Sequence, residues 1–319
     1  MYGLLSEMDI PVVSLSSLNT QDPDSLQALG DAASEWGFFR LVDHGLEPEA
    51  IDAFLGMMEA FFALPVDTKQ QLSRSEDNPW GYYDRELTKN RQDWKEIFDL
   101  GIDTEDEQYR SSTPWPANPP GFKNSMLDWH ERCESISLDL LRAICATLGK
   151  DRDHLTDWFS PSNTSFLRLN HYPVCGEPAD ATEDFPESGN LGIHHHTDAG
   201  AVTVLLQDGV SGLQVRHRDK WHTIEADRQS LIINIGDMVQ VWSNDRYVAP
   251  LHRVLASSQT ERYSAAFFMN PQFNTDCIPL LDEQPRYSAV NWGEFRAARA
   301  AGDYANLGEE IQISDFRIM

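Results

Sequence analysis

The sequence predicts a mainly β protein with additional helices, in which a jelly-roll core follows a mixed helical region and a long supporting helix. Three features of the 319-residue chain lead to this prediction. Strand-like and helical patterns are mixed before residue 118, and a single long helical pattern follows them. From Ser165 onward, short strand-like runs occur at close spacing with turn residues between them, which is typical of a sandwich or barrel.

The N-terminal region combines two strand-like runs with amphipathic helices. The strand-like runs are rich in β-branched and aromatic residues, whereas the helices repeat apolar residues every three or four positions. Gly37 ends the first helix, and Pro65 ends the next long one. The predicted elements are a strand at 10–15, a helix at 26–36, a strand at 38–42, a helix at 48–62 and a short helix at 67–72.

Aromatic and charged residues dominate residues 78–101. Two interpretations stay open: a lid that faces the substrate, or a strand pair with a solvated, charged edge. The candidate substrate contacts in this segment are Tyr82, Arg85, Lys89 and Arg91. Arg85, Lys89 and Arg91 would attract a carboxylated substrate to an otherwise acidic protein.

The long helix is predicted at 123–148, after Pro119-Pro120 and before Gly149. The strands of the jelly roll are predicted at 166–172, 192–197, 201–207, 213–216, 221–225, 231–235, 252–256 and 263–269. One more helical pattern begins near Trp292. Phe268, in the last of these strands, is expected in the core.

The charge balance is strongly acidic, because 25 Lys and Arg residues face 51 Asp and Glu residues and give a net charge of −26. Such a surface repels nucleic acid and anionic membranes, so neither is expected as a partner. The four cysteines form no C-x-x-C pair, and no apolar run approaches 18 residues. We therefore expect a cytoplasmic protein. An ordinary acidic surface and an adaptation to salt both remain open as explanations of the charge.

His196 and Asp198 stand two residues apart just before an apolar strand. On an extended backbone their side chains leave the same face with Cα atoms about 6.6 Å apart, so they could share one ion. Two histidines and one carboxylate are the ligands that leave open positions on non-haem iron(II). His252, which opens another strand 54 residues after Asp198, is the best candidate for the second histidine. These three residues are the candidate metal ligands and catalytic centre.

Arg262 and Ser264 add a candidate carboxylate site. Arginine offers a planar fork to a carboxylate, and Ser264 adds a hydroxyl donor on the same strand face. A dicarboxylic acid would fit, with one end on the metal and the other on Arg262. By strand parity His194 shares the face of His196 and is a candidate substrate contact, whereas His195 points away.

On these residues the chain resembles the 2-oxoglutarate and iron(II)-dependent dioxygenases, in the branch that includes isopenicillin N synthase and the soluble plant dioxygenases. The resemblance covers nearly the whole chain. The matching N-terminal motifs are Ile10-Pro11-Val12-Val13, Trp36-Gly37-Phe38-Phe39 and Asp43-His44-Gly45. The matching core motifs are Asn170-His171-Tyr172-Pro173, His196-Thr197-Asp198-Ala199-Gly200, Asn234-Ile235-Gly236-Asp237, His252-Arg253-Val254 and Arg262-Tyr263-Ser264.

The resemblance implies a double-stranded β-helix core that holds iron(II) and the cosubstrate 2-oxoglutarate. It makes His196, Asp198 and His252 the iron ligands. Arg262 and Ser264 would bind the distal carboxylate of 2-oxoglutarate, and Asn170 and Tyr172 would stand near its metal-chelating end. The implied division is an N-terminal dioxygenase domain at 1–118, a supporting helix at 119–162, the iron and 2-oxoglutarate core at 163–275 and a C-terminal extension at 276–319.

The implied activity is oxygen-dependent oxidation of a C–H bond in a small-molecule metabolite, with release of succinate and carbon dioxide. Hydroxylation, desaturation and oxidative cyclisation are the possible outcomes, and ascorbate is the expected reductant in vitro. The default of the family is a monomer. Two alternatives stay open: an oxidase like isopenicillin N synthase that uses the iron site without 2-oxoglutarate, and a non-catalytic small-molecule binding or sensor protein.

Overall fold

The computed structural model describes residues 10–75, 77–101, 112–302 and 310–318. Most of its helical residues precede residue 148. Asp22 caps the second helix by accepting a hydrogen bond from the Ser25 backbone N–H, and Pro23 occupies the first helical position. The helices are α1 (Leu15–Asn19), α2 (Pro23–Glu35), α3 (Pro48–Phe62), α4 (Val66–Gln70), α5 (Phe122–Thr147), α6 (Asp237–Trp242) and α7 (Trp292–Gly302).

The strands extend from the N-terminal region to the C-terminal residues. They are β1 (Val12–Ser14), β2 (Phe38–Val42), β3 (Gly81–Tyr83), β4 (Leu87–Thr88), β5 (Arg91–Gln92), β6 (Glu96–Gly101), β7 (Phe166–Tyr172), β8 (Leu191–His196), β9 (Val202–Gln207), β10 (Leu213–His217), β11 (Lys220–Thr223), β12 (Leu231–Ile235), β13 (His252–Leu255), β14 (Arg262–Met269), β15 (Asp276–Cys277) and β16 (Val290–Asn291). The eight strands predicted between residues 166 and 269 are confirmed as β7 to β14, with ends that differ by at most two residues.

A large sheet and a small sheet form the β core. The large sheet has the strand order β1-β2-β12-β9-β14-β7-β6-β3, and the small sheet has the order β11-β10-β13-β8. Only β1 and β2 pair in parallel among the strands of these two sheets in the described chain. The large sheet therefore joins strands from the predicted N-terminal domain to strands from the predicted core.

The two faces of the large sheet have different partners. On β14, Ala265, Phe267 and Met269 belong to the main hydrophobic cluster, and the Phe267 ring meets His130 of α5 edge-on at 4.8 Å. The alternate residues of β14, from Arg262 to Phe268, line a cavity. Successive side chains of β14 therefore point to opposite faces of the sheet: one face packs against the helix-covered core, and the other forms a wall of the cavity.

The segment 78–101 contains a strand pair, and four of its charged residues are buried, although Arg85 and Arg91 are exposed. Strands β3 and β6 pair with each other, and β6 also pairs with β7. Glu86, Asp93, Lys95 and Asp99 are buried, with at most 6% of each residue exposed. The expected solvated edge is therefore wrong for these four residues, which pair with one another or with Arg74 and Arg168 inside the protein.

Candidate active site

The three candidate metal ligands meet where β8 ends and β13 begins. His196 and His252 are cross-strand partners, and Asp198 follows β8 by two residues. The Asp198 Oδ1 atom lies 3.5 Å from His196 Nε2 and 3.6 Å from His252 Nε2. Their ligand atoms all lie within 4.8 Å of one another, and among the described residues this is the only such group of histidine, cysteine or acidic side chains.

Hydrogen bonds orient all three ligands. His196 Nδ1 lies 2.8 Å from the His194 carbonyl oxygen, and His252 Nδ1 lies 3.2 Å from the carbonyl oxygen of residue 250. Each Nδ1–H therefore donates to a carbonyl, which leaves each Nε2 lone pair free for a metal. Thr203 and Asn234 donate to Asp198 Oδ2 and leave Oδ1 directed towards the two histidines.

The protonation states also fit a metal site. Burial, together with the nearby imidazole of His196, lowers the pKa of His252 to about 4, so this ring is neutral at neutral pH. Burial by itself would raise the pKa of Asp198, but the facing histidines and the hydrogen bond from Thr203 hold it below its ordinary value. Neutral imidazole and ionised carboxylate are the forms that bind metals, and this donor set fits iron(II).

Arg262 lines the same cavity as the three ligands. Its Nε donates to the Val210 carbonyl at 3.1 Å, its Nη2 to Gln207 Oε1 at 2.9 Å and its Nη1 to Ser264 Oγ at 3.4 Å. The guanidinium also lies over the Tyr172 ring at 4.9 Å. No carboxylate of the described residues forms an ion pair with it, so its charge is available to a bound anion.

Asn170 lies directly opposite Ser264 in the pairing of β7 with β14. Its Nδ2 donates to the Ser264 carbonyl at 3.5 Å, whereas its buried Oδ1 has no hydrogen-bond partner among the described residues. A buried polar atom without a partner beside a cavity is suited to contact a bound ligand. Asn170, Tyr172, Ser264 and Arg262 therefore form a wall that fits a dicarboxylate reaching from the metal.

The cavity has a volume of about 850 Å³ and extends well beyond these residues. A hydrophobic part is lined by Trp80, Phe166, Phe268 and Trp292. Phe268 was expected in the core, but its face of β14 is the cavity face. The cavity thus has room for a small molecule beside a dicarboxylate.

One side of the cavity is formed by a buried ion network, which we call the charged wall: Arg74, Glu86, Lys95, Asp99 and Arg168. Arg168 binds Asp99 through two hydrogen bonds of 2.8 Å and donates to Glu86 at 3.0 Å. Lys95 Nζ lies 2.7 Å from Glu86, and Arg74 lies 3.4 Å from Asp99. Mutual pairing of this kind is required before so many charges can be buried.

Comparison with known families decides the identity of the chain. The 2OG-Fe(II) oxygenase superfamily matches residues 163–271, and the family described as non-haem dioxygenase in morphine synthesis N-terminal matches residues 10–118. Jasmonate-induced oxygenase 1 of Arabidopsis thaliana is 32% identical over 301 residues, which cover 92% of this chain and 72% of that protein. The chain belongs to the 2OG-Fe(II) oxygenases. The resemblance stated from its motifs is confirmed.

Other relatives of this oxygenase agree. Gibberellin 20 oxidase 1 of Arabidopsis thaliana is 32% identical and matches over 91% of this chain and 78% of its own length. A crystal structure of JOX2 in complex with 2OG, Fe and JA superimposes with a TM-score of 0.79 at 30% identity, covering 91% of this chain and 84% of that one. A putative 2OG-Fe(II) oxygenase family protein from Caulobacter crescentus superimposes with a TM-score of 0.78 at 29% identity, covering 92% of this chain and 98% of that one.

The family establishes the chemistry. The protein is an enzyme, an iron(II)- and 2-oxoglutarate-dependent oxygenase of small molecules that uses dioxygen as cosubstrate. Its jelly-roll core is that of the family. Across the described residues, no helix is both long enough and apolar enough to cross a membrane.

The structure corrects the placement of His194. In the pairing of β8 with β13, His252 faces His196 but Val254 faces Ile193, so β8 carries one extra residue. This β-bulge reverses the parity, and Ile193 rather than His194 lines the cavity with His196. His194 is buried, and its Nδ1 lies 3.0 Å from Asp93. The His195 ring packs against the Phe185 ring, with the ring centres 4.7 Å apart, and does not line the cavity.

The other candidate substrate contacts also lie off the cavity wall. Tyr82 is a core residue whose hydroxyl donates to Glu96 at 2.5 Å. The Arg85 side chain is 75% exposed, and Arg91 donates to carbonyls of residues 186 and 187 in the neighbouring loop. Burial lowers the pKa of Lys89, which lies near Glu310 and Arg299, but Lys89 does not line the cavity. None of these four candidates lines the cavity, whereas Lys95 of the same segment does.

Sequence reasoning missed the residues that do line the outer part of the cavity. Phe166 and Arg168 alternate with Asn170 and Tyr172 along β7, and all four face the cavity. This period of two was visible in the sequence and would have assigned them to the cavity once Asn170 was placed there. The contribution of α7, which adds Trp292 and Arg296, had no comparable signal.

Proposed function

We propose that His196, Asp198 and His252 hold iron(II) in this oxygenase. The geometry of the three ligand atoms, together with the two Nδ1-to-carbonyl hydrogen bonds, is the observation that carries this proposal. Iron(II) bound there would let dioxygen act as the oxidant of the reaction: two of the four electrons that dioxygen accepts would come from the conversion of 2-oxoglutarate to succinate and carbon dioxide, and the other two from the substrate C–H bond.

The proposed cosubstrate site is the wall formed by Arg262, Ser264, Asn170 and Tyr172. Arg262 and Ser264 bind the distal carboxylate, because the guanidinium is fixed in place and has no acidic partner in the part of the chain that the structure describes. Asn170 and Tyr172 stand beside the chelating end, where the free Oδ1 of Asn170 faces the bound molecules. These side chains position the cosubstrate and keep it at one end of the cavity.

We further propose that the protein works as a monomer in the cytoplasm. One chain supplies all three metal ligands and the cosubstrate wall, so the site is complete without a second copy. All four cysteines are free and buried, as is usual in a reducing compartment. Light scattering coupled to size-exclusion chromatography tests the oligomeric state.

The metal and cosubstrate roles are tested by anaerobic titration with iron(II) and 2-oxoglutarate. The wild-type protein should develop a visible metal-to-ligand charge-transfer band, and Asp198→Ala and His252→Ala should lose both the band and bound iron. Arg262→Met should keep the iron but require about 10- to 100-fold more 2-oxoglutarate, because a hydrogen-bonded charge pair is lost.

Asp128→Ala serves as the control, because this exposed helix residue pairs only with Arg132 at the surface. It should behave like the wild type. A band that survives both ligand substitutions would contradict the assignment. Substrate-dependent oxygen uptake without any need for 2-oxoglutarate would instead favour the isopenicillin N synthase-like alternative.

A further inference from the structure

Four pairs of facing residues on β7 and β14 line the cavity one after another along the strands. Arg262 faces Tyr172, Ser264 faces Asn170, Ala266 faces Arg168 and Phe268 faces Phe166. Six residues separate the first and last of these rungs on β14, which corresponds to about 20 Å of strand. A five-carbon diacid held at Arg262 is far shorter than this distance. Whatever binds near Phe166 is therefore a different molecule.

Arg296 of α7 lies at this far end of the cavity. Its guanidinium lies over the rings of Phe166 at 5.4 Å and Trp80 at 6.0 Å. Its Nη1 donates to the Thr164 carbonyl at 2.8 Å, so the side chain is fixed on the cavity wall. A planar cation that lies over two neighbouring aromatic rings, whose centroids are 5.8 Å apart, is held in place with its remaining N–H groups still able to donate.

The other charges of this region are already paired. In the charged wall, Arg168 is bound by Asp99, and Lys95 is bound by Glu86 and by Asp93. On α7, Arg299 pairs with Glu310 at 3.3 Å. By contrast, no carboxylate of the described residues lies within ion-pair distance of Arg296. Asp99 is the acid whose charge raises the pKa of Arg296, but both of its carboxylate oxygens accept hydrogen bonds from Arg168.

Electrostatics agree with this geometry. Burial lowers the pKa of the Arg296 guanidinium to about 10, since the influence of Asp99 does not offset the loss of solvent. The group remains charged at neutral pH. A buried cation without a local counter-charge is costly, and an anionic ligand would relieve that cost.

We propose that Arg296 is a specificity-determining residue that binds a carboxylate on the substrate. The inference rests on the proposed iron and 2-oxoglutarate site and names the substrate class for it: small apolar acids with a single carboxylate. The aromatic rings of the outer cavity contact the apolar body. Arg296 supplies one positive charge for that carboxylate, and the cations of the charged wall are already engaged by Glu86 and Asp99. Arg85, Lys89 and Arg91, the basic candidates of segment 78–101, take no part.

The test compares acids with their uncharged amides on the anaerobic complex with iron(II) and 2-oxoglutarate, so that Arg262 is already occupied. Phenylacetate, 3-phenylpropionate and cyclohexylacetate, each with its matched carboxamide, are titrated by isothermal calorimetry. Acids should bind the wild type about 10- to 100-fold more tightly than their amides. In Arg296→Gln this preference should fall to about twofold or less, and Arg296→Lys should keep part of it.

Arg85→Gln is the matched control, because Arg85 is exposed at the surface and was itself a sequence-based candidate. It should keep the full preference for acids. Equal binding of acid and amide by the wild type, a preference that persists in Arg296→Gln, or no binding of any acid would each overturn the proposal. The charge-transfer band is recorded first: its absence in the wild type would reject the proposed metal and cosubstrate site, whereas its presence in Arg296→Gln shows that the variant is folded.

Discussion

Asp198 illustrates how single side chains set up the metal site. One carboxylate oxygen faces the two histidines, and the other accepts hydrogen bonds from Thr203 and Asn234. The carboxylate therefore cannot rotate freely, and its ligand atom is fixed before a metal arrives. Such outer partners affect metal affinity almost as much as ligands do, since they set orientation and charge.

Replacing Thr203 by Val should weaken iron binding about 10- to 100-fold, because Asp198 Oδ2 loses a donor while the side chain keeps its shape. Valine is also favourable in a strand, so β9 should persist. Competition with a coloured iron(II) chelator measures the affinity. Thr182→Val, in an exposed loop, is the control and should leave it unchanged. An unaltered affinity in Thr203→Val would show that Asn234 alone orients the carboxylate.

Asp99 is the residue on which the charged wall depends most. It accepts two hydrogen bonds from Arg168 and lies 3.4 Å from Arg74, while only 3% of it is exposed. Asp99→Ala should lower the free energy of unfolding by about 3–5 kcal/mol, because it leaves buried cations without their partner. Urea denaturation measures this change.

The control for Asp99→Ala is Asp128→Ala, which breaks an exposed pair on α5. Exposed pairs contribute about 1 kcal/mol or less, so this variant should unfold close to the wild-type midpoint. Equal losses for the two substitutions would mean that the charged wall is open to water and adds little to stability.

At the scale of elements, the loop after β8 is held by the turn that begins α6. The backbone N–H of Asp237 donates to the Asp198 carbonyl at 2.7 Å, and that of Met238 donates to the Gly200 carbonyl at 3.0 Å. A Cβ on Gly236 would lie 2.2 Å from the Gly200 carbonyl oxygen. The close approach of these two backbones thus requires glycine at this position, although its φ of −98° would suit any residue.

Gly236→Ala should therefore displace the loop that carries Asp198 and reduce iron content in the purified protein by at least about tenfold. It should also lower the melting temperature, because backbone atoms cannot move aside as a flexible side chain can. Metal analysis and thermal unfolding measure the two effects.

Gly56→Ala is the counterpart in helix α3, where a Cβ would meet nothing within 4 Å. Alanine is favoured over glycine in helices by about 0.5–1 kcal/mol, so this variant should be slightly more stable and should bind iron normally. If Gly236→Ala kept its iron as Gly56→Ala should, the loop that carries Asp198 would tolerate a Cβ at position 236, and the prediction would be wrong.

The elements themselves were largely predictable, and the failures have physical causes. Helix α3 and strands β7 and β12 were predicted with their observed bounds, because strong apolar periodicity specifies them. Nothing in a run of three histidines indicates the β-bulge in β8. Simple alternation along the strand therefore placed His194 on the cavity face, which is wrong. Segment 78–101 contains so many charges that it resembles a surface, whereas tertiary pairing buries four of them, Glu86, Asp93, Lys95 and Asp99.

For the whole molecule, the proposed metal and cosubstrate residues could be predicted from the sequence because they lie in recognisable motifs on or next to β7, β8, β13 and β14. The outer cavity could not, because it combines β7, the charged wall and α7, which lie far apart along the chain. Arg296 in particular sits in a helix that the sequence predicts only as a helical pattern, with no sign of which residues it would bring to the cavity. Only the assembled fold shows that this residue faces a cavity.

The net charge of −26 also acts at this scale, because 51 acidic groups on one folded chain repel one another. Raising NaCl from about 0.1 to 1 M shortens the Debye length from about 10 to 3 Å. The melting temperature should therefore rise by several degrees, as differential scanning calorimetry can measure. At about pH 5 more carboxyl groups are protonated, and the same salt step should have a smaller effect. A melting temperature that falls with salt at neutral pH would show that attractive surface pairs outweigh the repulsion.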